Sequence, residues 1–148
     1  MPGPERQTMK YGRMSLGRLS RIGLVICLAG ALPVLAQTGH PAKGSWLGYW
    51  GPDADDQRRL RLVLDWDDRK IVGTINPGRN GVEIESADID YDTWTLTLQA
   101  EMPVPGGSGK AHWTATGKLE NLGSWTNRKY TGTYRLGNES GTFDLTLN

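Results

Sequence analysis

Residues 58–66 read RRLRLVLDW, and that stretch decides the fold class. Leu60, Leu62, Leu64 and Trp66 fall on one side of an extended chain, and Arg59, Arg61 and Asp65 on the other. Successive side chains of a strand point to opposite faces, so this alternation belongs to a half-buried β-strand. Asp67-Asp68-Arg69 is turn chemistry. Residues 70–76 (KIVGTIN) then return, as far as the breaker cluster Pro77-Gly78-Arg79-Asn80-Gly81.

Working outward, the same grammar covers the chain from Gly44 to its end. Upstream lies GSWLGYW (44–50), joined by the loop GPDADDQ. Downstream come runs at 82–89, 93–100, 110–120, 129–136 and 141–147, separated by Gly, Pro, Asn and Asp clusters. Val82 and Ile84 are out of step with Ile89, which predicts a bulge near Ser86-Ala87. Trp94, Leu96 and Leu98 are expected inward, as are Ala111, Trp113, Ala115, Gly117 and Leu119. No segment carries a helical period. The prediction is an all-β domain of eight antiparallel strands forming an up-and-down barrel, with a β-sandwich as the alternative. Inward glycines at 48, 73, 117 and 132 favour closure, since small barrels need tight bends.

The domain is preceded by a leader. Arg6, Lys10, Arg13, Arg18 and Arg21 stand against a single Glu5, and fifteen uncharged residues follow, Ile22 to Ala36. Val34 and Ala36 supply small or modest side chains before a cleavage point, so residues 1–36 read as a signal peptide. Met14 would open a leader of more ordinary length. The apolar run is short of the roughly 20 residues a spanning helix needs, so no membrane anchor is expected after cleavage. Ile26 before Cys27 argues against a lipidated cysteine. Residues 37–43 (QTGHPAK) read as a flexible lead-in and 44–148 as the barrel domain, located in the periplasm or secreted.

Cleavage changes the charge arithmetic. Removing 36 of 148 residues leaves 112, with 12 basic and 15 acidic side chains, a net charge of −3, and no cysteine. That excludes disulfides and thiolate metal sites, and gives no basic footprint for nucleic acid. Two histidines do not make a structural zinc site, and no cofactor motif is present. Asp88, Asp90 and Asp92 alternate as in calcium loops but lack the glycine and glutamate of an EF-hand. The nucleophile elbow G-x-S-x-G is absent. Glu101, Glu120 and the outward His112 are the only acid–base candidates, and no catalytic residue is assigned.

The opening Gly44-x-Trp46, followed by a meander rich in Gly-Thr steps (73–74, 132–133, 141–142), resembles the calycin group, which includes lipocalins and avidins. Trp46-Leu47-Gly48-Tyr49-Trp50 is not the Asn/Ser set that avidins place there for biotin. The segments GSWLGYWGP, GTINPG and GKLENLGS also resemble small exported proteobacterial proteins. The resemblance implies a ligand-binding barrel. All six tryptophans lie beyond the leader. The candidate ligand-binding set is Trp46, Trp50, Trp66, Trp94, Trp113, Tyr130 and Tyr134, with Trp125 at the rim. The expectation is a non-enzymatic barrel taking a small apolar or aromatic ligand in a Trp-lined interior. Its alternative is a solid-core module contacting a partner protein or cell-wall glycan through loops or outer face, with indoles filling the core.

Overall fold

The computed structural model describes residues 39–148, within a compact unit spanning Gln37–Asn148. The expected signal peptide, with Cys27 and Met14, lies outside the described residues. The domain is all-β, with no helix among the described residues. Its strands are β1 (Gly44–Gly51), β2 (Arg58–Trp66), β3 (Ile71–Ile75), β4 (Val82–Glu83), β5 (Ser86–Asp90), β6 (Thr95–Pro103), β7 (Lys110–Glu120), β8 (Lys129–Leu136) and β9 (Glu139–Leu147). They form one antiparallel up-and-down sheet, in the order β4-β3-β2-β1-β9-β8-β7-β6-β5, curled into a half-barrel. One continuous sheet replaces the two of the sandwich alternative.

Nine strands stand where eight were expected, because the run 82–89 is divided. The slip in its apolar phase falls at Ile84-Glu85, two residues before the expected bulge. There the backbone changes partner: Ile84 N–H donates to Gly73 O on β3, and Glu85 N–H to Gln99 O on β6, both at 2.9 Å. The two ends of the sheet, β4 and β5, are therefore consecutive pieces of one segment. At the other seam the first strand pairs with the last, Trp46 opposite Leu147 and Trp50 opposite Phe143.

Alternation sorts the side chains as the sequence implied. Leu60, Leu62 and Leu64 are buried on β2, Leu96 and Leu98 on β6, and Trp113, Ala115 and Leu119 on β7. The inward glycines let strands approach: a methyl added at Gly48 would overlap the Asp144 carbonyl, and one at Gly132 the Thr116 carbonyl. Trp94 departs from expectation. It sits in the turn before β6 with φ +55° and is only half-buried. The cause is Asp90, whose carboxylate accepts from Asp92 N–H, Thr93 N–H and Thr93 Oγ1–H and draws the chain into a turn.

Candidate functional site

Two arginines sit one at each end of the core, Arg58 at the start of β2 and Arg128 in the loop just before β8. Arg58 begins β2 in step with Leu60 and Leu62, directly across from Trp50 on β1. Its guanidinium carbon lies 4.5 Å from the centroid of the Trp50 ring. Nη2 donates to Tyr134 Oη (3.2 Å) and to Glu139 Oε1, while Tyr134 O–H donates to the same Glu139 oxygen at 2.6 Å. Trp50 packs edge-on against Tyr134 (4.7 Å) and Trp113 (6.5 Å). We call this end the mouth.

The mouth is electrostatically tight. Burial works against the Arg58 charge, but the bond to Glu139 and its negative charge outweigh it and the guanidinium pKa rises. Burial and Glu139 together push the Tyr134 hydroxyl well above its usual value, so it remains a donor. Among the described residues, Arg58 Nε, Arg58 Nη1 and Trp113 Nε1 find no hydrogen-bond acceptor although all three are buried. Asp56, 3.9 Å from Nε, is too far to serve. A buried donor left so costs about 1–3 kcal/mol.

Beside this cap lies a recess of about 320 Å³. Trp50, Val82, Met102, Pro103 and Pro105 form its apolar wall, and Arg58, Arg59, Asn76 and Asn80 its polar one. The β3–β4 turn and the β6–β7 connection bring these groups over the end of the core. A few polar groups on a mainly apolar wall is the usual make-up of a small-molecule site.

The opposite end is plugged. Trp46 Nε1–H donates to Ala42 O at 2.8 Å, and Arg128, 1% exposed, donates to Pro41 O (2.7 Å) and Leu122 O (2.6 Å). Residues 39–43 of the lead-in, expected to be flexible, pack on the half-barrel: Ala42 is fully buried, and His40 stacks on Trp66 at 4.6 Å. Between the two ends the interior is filled. Tyr130 donates to Leu96 O at 2.9 Å and packs against Phe143 (4.7 Å) and Trp46 (6.2 Å), with Leu62, Leu98 and Leu145 around them.

The candidate set therefore divides. Trp50, Trp113 and Tyr134 meet at the mouth. Trp46 and Tyr130 fill the core toward the plugged end. Trp66 and Trp94 flank that end half-buried, and Trp125 is 61% exposed on its loop with Arg128 5.7 Å from its ring. Sequence reasoning missed Arg58, Glu139, Val82 and Met102. Arg58 could have been found from its parity with Leu60.

Glu101 and His112 do come together, as cross-strand partners with Nδ1 3.2 Å from Oε1, and Glu85 joins them within 4.8 Å. Both paired side chains are about half exposed, on the outer face, which makes this a surface pair of small energetic weight. Asp53, Asp67 and Asp90 each accept backbone N–H bonds and hold turns. No protein-family model matches the chain, and no curated protein or solved structure matches it.

Proposed function

We propose that this chain is an exported, non-enzymatic β-barrel module of calycin type that binds a small apolar or aromatic ligand. The proposed barrel is closed: Val82–Asp90 acts as a single eighth strand, bonded to β3 by its first half and to β6 by its second. The ligand sits at the mouth, not in the interior first expected, because the interior is occupied by the protein's own aromatic rings. The observation that carries the reading is the recess between Trp50, Val82, Met102 and the Arg58 cap, next to buried donors without acceptors. Displacing water from that apolar wall would supply the driving force, at about 25 cal/mol per Å² covered.

The test is tryptophan emission titrated with a panel of hydrophobic dyes and short-chain lipids. Binding should shift the emission, and Trp50→Phe should remove most of the shift while leaving the thermal transition cooperative. If no probe perturbs emission, the reading fails.

A second reading, the interaction module with a solid core, is favoured by the exposure of Trp125 and Tyr49. Under it, Trp125→Ala abolishes capture of a periplasmic partner or cell-wall glycan, and Trp50→Phe does not.

A further inference from the structure

Arg58 and Arg59 are neighbours in sequence with opposite duties. Arg58 points inward, and its charge is met by Glu139. Arg59 points outward and makes no ion pair or side-chain hydrogen bond among the described residues. Arg61, two residues on and on the same outer face, is held only by a long bond from Nε to Ser45 Oγ, 3.3 Å. Two positive charges are thus left unbalanced on one stretch of β2, in a domain that is otherwise net negative.

These two arginines line a shallow groove of about 440 Å³ on the outer face, together with Leu47, Tyr49 and Asn76. Arg59 and Asn76 also line the mouth recess, so the two depressions share a rim. No carboxylate lines either of them among the described residues. A single molecule can therefore lie with an apolar end against Trp50, Val82 and Met102 and a polar end over the rim, facing Arg59 and Arg61.

We infer that the ligand is an amphiphile with an anionic head group. The apolar tail occupies the mouth recess, and the head rests on the outer face against the Arg59 and Arg61 guanidiniums. The inference rests on the mouth as binding site and adds the chemistry of the ligand. The Arg58 cap is excluded as the head's partner because Glu139 already neutralises it and Asp56 stands beside it. A guanidinium offers a planar fork that matches carboxylate or phosphate oxygens, and two such forks along one strand suit a monoanionic head.

The experiment compares head groups on one tail. Decanoate, decyl maltoside and decyltrimethylammonium, all below their micelle concentrations, are titrated against tryptophan emission, with acetate and phosphatidylglycerol vesicles as further arms. Decanoate should bind at least tenfold more tightly than decyl maltoside, and decyltrimethylammonium more weakly than both. The pair Arg59→Gln/Arg61→Gln, both exposed on the outer face, should lower decanoate affinity at least tenfold, far more than decyl maltoside affinity, and so erase the decanoate advantage. Raising salt from about 0.01 M to about 1 M should shrink the advantage too, since the screening length falls from ~30 to ~3 Å.

Equal affinity for decanoate and decyl maltoside would overturn the anionic head while leaving the mouth as a binding site. Acetate competing as well as decanoate would show a simple anion site and overturn the amphiphile. Arginine-dependent binding to vesicles without binding of monomeric decanoate would overturn it in favour of a membrane surface. Silence from every amphiphile would remove the mouth reading itself.

Discussion

Glu139 is the residue on which the mouth turns. It opens β9, half-buried, and its Oε1 accepts from both Tyr134 and Arg58. Burial alone would raise its pKa, but the bonds from Tyr134 and Arg58 and the Arg58 charge outweigh that and hold it below its ordinary 4.5. A carboxylate whose folded pKa is depressed contributes stability that is complete above its unfolded value and is lost as pH falls through the folded one. Glu139→Gln should therefore cost about 1–2 kcal/mol at neutral pH, in the range for a hydrogen bond to a charged group after discount for partial exposure. The gap to wild type should close as pH drops below 4.5. Urea melts of both proteins across that range check it, and a gap that stays constant with pH would show that Glu139 acts only by packing.

At the scale of elements, the strands were legible because burial on one face leaves a period of two, and Arg58–Trp66, Lys110–Glu120 and Lys129–Leu136 have the bounds their alternation implied. The seam was half legible. Parity announces a slip between Ile84 and Ala87, but only backbone hydrogen bonds decide where the chain leaves β3 for β6. Position along a strand was the hidden coordinate of the candidate site: Trp46 and Trp50 share a face yet serve opposite ends of the core, and alternation carries no sign of that. The docking of the lead-in was hidden for a related reason. Its binding uses the backbone carbonyls of Pro41 and Ala42, which any sequence possesses. His40 adds a titratable element to this plug. Its Nδ1 accepts from Ala42 N–H at 3.2 Å, Nε2 lies 2.9 Å from Tyr91 Oη, and burial lowers its pKa from 6.5. A histidine held neutral in the fold contributes stability that is full above its unfolded pKa and declines as pH falls through the lowered folded value. The docked lead-in should accordingly loosen below pH 6.5, reported by Trp66 emission, and His40→Phe should abolish that dependence. An identical pH profile in the variant would assign the change elsewhere.

For the whole molecule, the β1–β9 pairing matters most, because it joins residues a hundred positions apart and seats Trp46, Trp50, Phe143 and Leu147 in one core. Such non-local pairing is slow, since loop closure must be met before the contact rewards it, and refolding belongs in the millisecond-to-second range of all-β domains. The other junctions are local hairpins that form without it. The last strand thus converts a string of hairpins into a cooperative unit, with apolar surface on both β1 and β8 depending on it. Ending the chain at Leu136 removes β9, leaves the facing edges of β1 and β8 unpaired, and strips Glu139 from the Arg58 cap. The truncated chain should retain β-type circular dichroism but lose its cooperative melt and bind a hydrophobic dye, the behaviour of a collapsed state without fixed packing. Adding a peptide of residues 137–148 in excess should restore the transition by strand addition at the exposed edge. A truncated chain that melts cooperatively on its own would show that the core closes without its last strand, and the energetic weight placed on the β1–β9 seam would then belong to the hairpins.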